Sequence, residues 1–395
     1  MKVIVQKYGG SSLAAPELIE RIAGRVIATK ERGYSVVVVV SALGDTTDHL
    51  VALAKQITQN PPPREMDMLL SVGERVSIAL LTMAIIERGH TAISFTGSQV
   101  GIITTTDHTR ARILEIKGDR IRQELEQGKI VVIAGFQGVS VEKEITTLGR
   151  GGSDTTAVAL AAALDAEACE IMTDVDGVYT ADPQLVPSAE RLRRLSFDEM
   201  LDMADSGAQV LKSSAVEFAK RHNIKLEVGS SFTGEIGTII TNGELDRNRV
   251  TGVGQDANIV LVKVTGENEG TRAALITSLA RNGVPVKFVW QSGNTLAFLL
   301  SADALERAHE LIAAQQASDP ALRVETDHDL GLLAITGTGI NFGTDIMARA
   351  MEVFEEMALR PRVLQFSETR LCFGVDKRYL KQAVNAMHHA LFDRS

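Results

Sequence analysis

The stretch KYGGSS at residues 7–12 has residue types that suit phosphate chemistry. Gly9 and Gly10 lack a Cβ, so a ligand can approach the backbone N–H groups of this turn. A helix predicted shortly afterwards would add the positive end of its dipole, which favours phosphate. Lys7 would bring a full positive charge to a phosphoryl group during transfer. The lysine precedes the glycines, so this is not a P-loop, and an ordinary strand-to-helix turn is the simpler alternative.

A second glycine-rich turn, GRGGSD at residues 149–154, runs directly into an apolar helical segment. Arg150 can bind a carboxylate through two parallel hydrogen bonds. Gly151 and Gly152 let a ligand touch the main chain. Asp154 stands where a helix begins, so it would either cap that helix or orient charge in a catalytic site. The sequence leaves these two roles equally open.

The helical stretch SVGERVS at residues 71–77 contains a carboxylate that would suit a substrate amine. That carboxylate is Glu74, although a Glu–Arg pair on a helix is more often a solvated face. Its neighbour Gly73 costs about 1 kcal/mol in a helix interior, which indicates a close approach or a local break.

VSALGDTT at residues 40–47 follows the most apolar run of the chain. Ser41 and Thr47 offer hydroxyl groups to a ligand. Capping of the next helix by Asp45 or Thr46 is the simpler explanation for this composition.

The stretch TDVDGVYTADP at residues 173–183 is rich in aspartate. Its aspartates lack the spacing and the terminal glutamate of a calcium loop, so we assign no metal ligands and expect nucleotide contacts. Asp174 would bond ribose or adenine, and Tyr179 would stack on or flank a base.

These stretches are separated by alternating strand and helix patterns up to about residue 240. Strands are predicted at 2–6, 35–41, 92–95, 130–134, 170–173 and 224–228, and helices at 16–32, 46–58, 65–88, 109–127, 154–165 and 197–221. Strands that are apolar on both faces and separated by helices indicate a mainly parallel sheet between helices. Ligands bind at the carboxyl ends of such strands, so the loops described above should meet at one edge.

Composition excludes several classes of protein. A chain of 395 residues suggests two or three domains. A net charge of -9 argues against nucleic acid or an anionic membrane as the partner. Cys169 and Cys372 are the only cysteines, which excludes a disulfide framework and fits a reducing cytoplasm. We find neither a signal peptide nor an apolar run of the roughly 18 residues that a spanning helix needs.

An internal repeat follows the polar segment 241–252, which we take as the domain boundary. VKVTG at 262–266 matches LAITG at 333–337, and similar pairs follow at nearly the same offset. Each copy reads strand, helix, two strands, helix, with a further strand expected, so two βαββαβ units are predicted. The predicted domains are 1–245, 250–325 and 326–395.

Together, KYGGSS, VSALGDTT, VGER, TTLGRGGSDTT and TDVDGVYTADP resemble the aspartate kinases of the amino-acid kinase superfamily, in order and in spacing. The repeats look like a pair of ACT domains, the usual regulatory half of this family. The resemblance implies an α/β fold in which a three-layer α/β/α kinase domain precedes two ACT-like units. It also implies ATP-dependent phosphorylation of the L-aspartate side chain to 4-phospho-L-aspartate with Mg²⁺, on the route to lysine, threonine and methionine.

The resemblance also assigns roles to individual residues. Lys7 would stabilise the transferring phosphoryl group, and Asp154 would organise the transfer. The nucleotide would be bound by Gly9, Gly10, Ser11, Gly151, Gly152, Thr173, Asp174, Tyr179 and Asp182. Aspartate would be held by Ser41, Thr47, Glu74, Arg150 and Ser153, with Arg150 on its α-carboxylate.

The nucleotide end departs from the family pattern at two positions. Gln184 stands where the family often has Arg, and Gln209 stands where it usually has Lys. Both residues normally help to hold ATP, so we expect weak ATP affinity, an altered nucleotide geometry, or compensation by Lys212 from the next helical turn.

The repeats depart further, because Glu269-Gly270 and Gln291-Ser292 replace the family's Pro-Gly and Gln-Asn pairs. We therefore assign no particular amino-acid effector. We expect the repeats to serve mainly in a homodimer or a larger homo-oligomer.

Two other functions stay open. The first is an amino-acid kinase with a different carboxylate substrate, although a blocked amine such as that of acetylglutamate would leave Glu74 unpaired. The second is a catalytically weak protein that senses an amino acid through its repeats, which the glutamines at 184 and 209 would favour.

Overall fold

The computed structural model describes residues 1–149, 151–208, 210–243, 249–340 and 345–393. Arg150, Gln209 and the middle of the predicted boundary segment lie outside these residues. The chain forms two units. The first comprises Met1–Val178, Arg191–Ala204 and Gln209–Glu244, and the second comprises Tyr179–Glu190, Asp205–Ala208 and Leu245–Ser395.

The first part of the chain alternates strands and helices. Its strands are β1 (Val3–Tyr8), β2 (Ser35–Val40), β3 (Ala92–Phe95), β4 (Ile102–Thr104), β5 (Ile113–Ile116), β6 (Ile130–Ala134), β7 (Gln137–Ser140), β8 (Ile145–Thr147), β9 (Ala168–Thr173), β10 (Val178–Tyr179), β11 (Arg191–Leu192), β12 (Arg194–Ser196), β13 (Leu226–Ser230) and β14 (Ile236–Thr241). Its helices are α1 (Pro16–Glu31), α2 (Thr46–Ile57), α3 (Pro63–Leu70), α4 (Val72–Glu87), α5 (Asp119–Glu126), α6 (Gly152–Ala163), α7 (Phe197–Asp205) and α8 (Ser213–His222).

An 8-stranded sheet in the order β12-β14-β13-β9-β1-β2-β6-β3 forms the centre of the first unit. Its neighbours are parallel except β13 with β14. The valines of Val36–Val40 are fully buried, as a strand covered on both faces requires. Helices α1 and α4 share a core with Val36, Val38 and Val40, and α6 packs on β1, β2 and β9. The predicted α/β fold is confirmed.

Three of the predicted helices are wrong in part. The helix predicted at 109–127 is instead strand β5 followed by α5, because Gly118 adopts a left-handed conformation (φ 69°) between them. The helix predicted at 65–88 is divided between α3 and α4, and that predicted at 197–221 is divided between α7 and α8. The sequence analysis also missed a 4-stranded sheet in the order β5-β4-β7-β8.

The helical stretch Pro63–Glu87 is long and apolar enough to cross a membrane by length and composition, contrary to the sequence expectation. Half of its most apolar window is buried within the protein. Ile78, Leu81 and Ile85 of α4 belong to the core beside β2 and β6. These residues are packed as in the core helix of a globular domain. Such a helix can be as long and as apolar as one that crosses a membrane.

The second unit contains two 4-stranded sheets in the orders β17-β18-β16-β19 and β15-β20-β22-β21. The strands are β15 (Arg249–Asp256), β16 (Ile259–Thr265), β17 (Val286–Ser292), β18 (Thr295–Ser301), β19 (Arg323–Asp327), β20 (Leu330–Thr338), β21 (Val363–Phe366) and β22 (Arg370–Asp376). The helices are α9 (Glu269–Arg281), α10 (Leu305–Ser318), α11 (Asp345–Glu356) and α12 (Lys377–Phe392).

The two sheets have equivalent strand orders but different chain connections. In the first, the elements from β16 to β19 follow one another as βαββαβ. In the second sheet, the edge position beside β20 is occupied by β15. The equivalent position in the first sheet, beside β16, is occupied by β19. Strand β15 precedes both repeats in the chain, although the predicted ranges group it with the first. The ranges 250–325 and 326–395 stay predictions.

The segment Tyr179–Glu190 belongs to the second unit although it lies within the predicted kinase range. Ala181 and Val186 share a hydrophobic core with residues of α12. The Thr180 Oγ1 lies 2.8 Å from the Nε2 of the buried His388, also on α12. Packing therefore ties this segment to the C-terminal helix.

Candidate active site

The loops that the sequence analysis singled out follow neighbouring strands of the main sheet. Strand β1 lies between β2 and β9, and β2 also pairs with β6. The ends of these strands are aligned: Tyr8, the last residue of β1, lies opposite Val40 and opposite Met172, the last but one of β9, and Val40 lies opposite Ala134. The carboxyl ends of these four strands therefore form one continuous edge, where such sheets bind ligands.

The two glycine-rich turns meet through an ion pair. The Lys7 Nζ lies 2.7 Å from Oδ1 of Asp154, and the two side chains are only 12% and 11% exposed. Asp154 lies in the first turn of α6, whose N-cap residue is Gly151, and no side-chain hydrogen bond caps this helix. The capping role considered for Asp154 is therefore wrong. A Cβ on Gly9 would lie 3.5 Å from the Lys7 Nζ, so the ammonium group lies beside the first glycine turn.

The turn that follows β2 packs against the turn that follows β1. A Cβ on Gly10 would lie 2.8 Å from the carbonyl oxygen of Ala42, and the Gly44 N–H donates to the Gly10 carbonyl at 3.0 Å. Glycine is therefore required for this close approach. Ser41 and Thr47 are half-buried beside this contact.

The capping expected at this turn is not observed. Asp45 is the N-cap residue of α2 but makes no side-chain capping bond. The Thr46 hydroxyl donates instead to the Leu43 carbonyl at 2.6 Å.

Glu74 is buried at the start of α4, so the alternative of a solvated face is wrong. Its Oε1 accepts a hydrogen bond from the Ala42 N–H at 3.2 Å, whereas its Oε2 is buried without a hydrogen-bond partner. Burial raises the pKa of the Glu74 carboxyl to about 7. A Cβ on Gly73 would fall 2.7 Å from the Ala42 Cβ, which explains the glycine by close approach. A buried acceptor without a partner is suited to a ligand that carries a positive charge.

Two side chains at the second glycine turn lie close to glycine residues. The Ser153 Oγ would lie 2.8 Å from a Cβ on Gly135, which follows strand β6. Gly151 has φ 78°, and a Cβ there would fall 2.1 Å from Cγ of Lys212. The stem of Lys212 therefore lies directly over Gly151, although the residue as a whole is exposed. Helix α6 begins at Gly152 beside this contact.

The predicted nucleotide residues are more exposed. The Thr173 hydroxyl donates to Asp174 Oδ1 at 2.9 Å, and both Asp174 and Ser11 are exposed. Tyr179 and Asp182 belong to the second unit, where Asp182 Oδ1 accepts from the Gln184 N–H at 2.9 Å. Their roles in nucleotide binding stay predictions.

One buried carboxylate near the second glycine turn was missed by the sequence analysis. Asp67 is fully buried and lies 2.6 Å from both Nδ1 of His108 and the Thr147 hydroxyl. It also accepts a hydrogen bond from the Thr109 N–H at 3.0 Å. It thus joins α3 to the strand that precedes the second glycine turn. No motif surrounds it in the sequence, so only its burial reveals it.

Comparisons with known proteins show the family to which the chain belongs. Residues 2–230 match the model of the amino acid kinase family. An aspartokinase from Mycolicibacterium smegmatis is 44% identical, with 99% of this chain and 96% of the relative covered. An aspartokinase from Geobacillus stearothermophilus is 43% identical, with 99% of this chain and 97% of the relative covered.

Among solved structures, E. coli aspartokinase III in complex with aspartate and ADP has a TM-score of 0.88 at 27% identity. The alignment covers 99% of this chain and 100% of that one. The same enzyme in complex with lysine and aspartate has a TM-score of 0.77 at 27% identity, covering 99% of each chain.

Proposed function

Because the chain belongs to the amino acid kinase family and, within it, to the aspartokinases, we propose that the carboxyl edge of its main sheet is the active site. The enzyme phosphorylates the side-chain carboxylate of L-aspartate with ATP and forms 4-phospho-L-aspartate. One observation carries the assignment of the site: the Lys7–Asp154 ion pair joins the two glycine turns at 2.7 Å.

The reaction needs charge neutralisation more than proton transfer. A side-chain carboxylate oxygen of aspartate forms a bond to the γ-phosphorus of ATP, and the bond from that phosphorus to the bridging oxygen breaks, so ADP leaves with the electron pair. The carboxylate is already ionised, and no general base is required. Its repulsion by the phosphates is the difficulty, which the Lys7 ammonium and the backbone N–H groups of Gly9 and Gly10 would offset.

The aspartate would be held by its α-groups. We propose that its amine binds the free Oε2 of Glu74, which is buried and otherwise lacks a hydrogen-bond partner. Arg150 would bind the α-carboxylate, and the hydroxyl groups of Ser41, Thr47 and Ser153 would donate the remaining hydrogen bonds.

ATP would lie along the edge from the glycine turns towards Thr173 and Asp174. Gly9, Gly10, Ser11, Gly151 and Gly152 would contact its phosphates, and Lys212 would supply a cation. Tyr179 and Asp182 are retained as nucleotide residues from the sequence alone.

Mg²⁺ would accompany ATP, and the residues present fit that arrangement. Within the described ranges, no group of three or more His, Cys, Asp and Glu side chains is placed to hold a metal ion. Mg²⁺ commonly uses one or two carboxylates together with substrate phosphates. Asp154, beside the phosphate turn, is the carboxylate we assign to it, and the bound ion would supply positive charge to the phosphate oxygens.

A coupled assay of ADP release tests the proposal against its alternatives. The protein is supplied with ATP and Mg²⁺ and with L-aspartate, D-aspartate, L-glutamate or N-acetyl-L-glutamate in turn. We expect turnover with L-aspartate. Turnover only with another carboxylate would indicate a different amino-acid kinase, and no turnover from folded protein would favour an amino-acid sensor.

Repeating the assay with lysine, threonine and methionine tests for an effector. We propose that the protein acts in the cytoplasm as a homodimer or larger homo-oligomer through its ACT-like units. Cys169 and Cys372 are both buried, which fits a reducing compartment. Light scattering after size-exclusion chromatography would measure the oligomeric mass, and a monomer at micromolar concentration would contradict the proposed assembly.

A further inference from the structure

A short loop after β13 lies beside the proposed phosphate and nucleoside subsites. We call residues 230–234, with the sequence SSFTG, the serine loop. Strand β13 pairs with β9 in parallel, and Ser230 lies opposite Thr173 at the end of both strands. The serine loop therefore leaves the sheet at the same edge as the proposed nucleotide site.

Ser231 joins two parts of the site that are far apart in sequence. Its backbone N–H donates to the carbonyl of Thr173 at 2.7 Å. Its side-chain oxygen accepts a hydrogen bond from the Ser12 hydroxyl at 2.7 Å. Ser12 lies in the single helical turn Ser11–Leu13 that follows the first glycine turn. One residue thus links the phosphate turn to the nucleoside end.

Both hydroxyl groups are removed from solvent. Ser12 is 2% exposed and Ser231 is 3% exposed. A buried hydroxyl that loses its partner keeps its desolvation penalty, so this hydrogen bond resists any change in the separation of the two loops.

Helix α1 fixes the serine loop from the other side. The Arg25 Nη1 donates to the carbonyl oxygens of Ser230 and Ser231, each at 3.0 Å. Gly234 has φ 86°, and a Cβ there would fall 2.6 Å from the Arg25 guanidinium. The loop is therefore built around the arginine, and glycine at 234 is needed to admit it.

We propose that Ser231 is a positioning residue for the nucleotide, which sets the distance between the phosphate turn and Thr173. This inference rests on the proposed function, because it takes the phosphates to lie at Gly9–Ser11 and the nucleoside at Thr173 and Asp174. Both subsites bind parts of one ligand, so a change in their separation weakens nucleotide binding. Aspartate contacts neither loop end in the proposed site, so its binding is unaffected.

The test compares Ser231→Ala, Ser12→Ala and the double variant with the wild-type protein. We expect each single variant to raise KM for ATP and Kd for ADP by about 3-fold to 10-fold, as for loss of one buried hydrogen bond. KM for aspartate should stay unchanged. The double variant should be no worse than either single one, because all three lack the same bond. A merely structural role would lower the melting temperature without separating the two KM values.

Thr104→Val is the matched control. Its hydroxyl forms a buried hydrogen bond of 2.6 Å with that of Thr146, in the small sheet of the first unit. We expect this variant to lose stability without a change in KM for ATP.

Several outcomes would overturn the inference: equal increases in both KM values, unchanged ADP affinity, or additive effects in the double variant. If Ser231→Ala fails to fold, Ser12→Ala removes the same bond from the other side. ADP binding is measured by calorimetry, so the inference remains testable even if the wild-type protein does not turn over aspartate. That failure would count against the proposed function instead.

Discussion

The proposed site has an aspartate end, which includes the position of the transferred phosphoryl group, and a nucleotide end. The two differ in how far their polar groups are removed from water. At the aspartate end, Lys7, Asp154 and Glu74 are all largely buried, and Glu74 keeps one oxygen without a partner. At the nucleotide end, Ser11 and Asp174 are exposed.

This difference indicates two ways of using binding energy. Charges fixed in a dry site interact strongly and need little reorganisation during reaction, which is the condition for stabilising a transition state. Exposed groups contribute less per contact, so the nucleotide end depends on many weak contacts and on the fixed spacing of its loops. Variants at the two ends should therefore change different kinetic constants.

The largest effect is expected at the buried ion pair. Lys7→Ala and Asp154→Asn should each lower kcat by at least about a hundredfold. The first removes the positive charge that offsets the developing phosphoryl charge, and the second removes the carboxylate that pairs with Lys7 and is assigned to Mg²⁺. The coupled ADP assay measures this at saturating ATP and aspartate. Lys2→Ala is the control, since Lys2 pairs with Glu167 at 3.9 Å on the exposed surface. Near-normal turnover of Lys7→Ala or Asp154→Asn would contradict the view that buried charges at the aspartate end stabilise the transition state.

A tenfold effect is expected from the protonation of Glu74. The raised pKa of about 7 leaves this carboxyl largely protonated at pH 6. Only the carboxylate can pair with the substrate amine, so KM for aspartate should fall about tenfold between pH 6 and pH 8. Glu74→Gln should bind aspartate weakly and abolish this pH dependence. A pH-independent KM in the wild-type protein would contradict the role of Glu74.

The raised pKa of Glu74 also predicts how the free energy of unfolding depends on pH. In the folded protein the pKa of the Glu74 carboxyl is raised from 4.5 to about 7. Between pH 4.5 and pH 7 the folded protein therefore keeps a proton on Glu74 that the unfolded chain has lost. The free energy of unfolding should therefore decline as pH rises through this window and level off above it. Denaturant unfolding at several pH values measures the decline, which Glu74→Gln should reduce.

The smallest effect is expected at Lys212. Its exposed ammonium is the proposed substitute for the cation missing at Gln209, so Lys212→Ala should raise KM for ATP about twofold to fivefold. The effect should shrink at high salt, because exposed charges are screened. Lys220→Ala in α8, the helix whose N-cap residue is Lys212, is the control, since Lys220 pairs with Asp198. An unchanged KM for ATP would show that the nucleotide end does not depend on this cation.

Much of this fold was predictable because its signals are local. The run of valines at Val36–Val40 predicted a strand buried on both faces, and the glycine turns predicted where ligands would approach. The order of motifs then placed Lys7 and Asp154 in one site, and their ion pair is observed.

The rest depended on contacts between distant residues. Residues 113–116 form a strand because they pair with β4, which no local pattern reveals. The burial of Glu74 could not be predicted either, because it follows from the packing of Gly73 on Ala42. Asp67 and Ser231 carry no motif, and they stand out only once their partners are known.

Because Tyr179–Glu190 belongs to the second unit, the first unit cannot be expressed alone simply by truncating the chain at the predicted domain boundary. The chain leaves the first unit after Val178 and returns at Arg191, and it leaves again for Asp205–Ala208. A fragment ending near residue 245 would carry Ala181 and Val186 without the α12 residues that share their core. These side chains would be exposed to water, and aggregation would follow. The first unit therefore cannot be separated from the second by dividing the chain at one position, as a fusion to another regulatory domain would require.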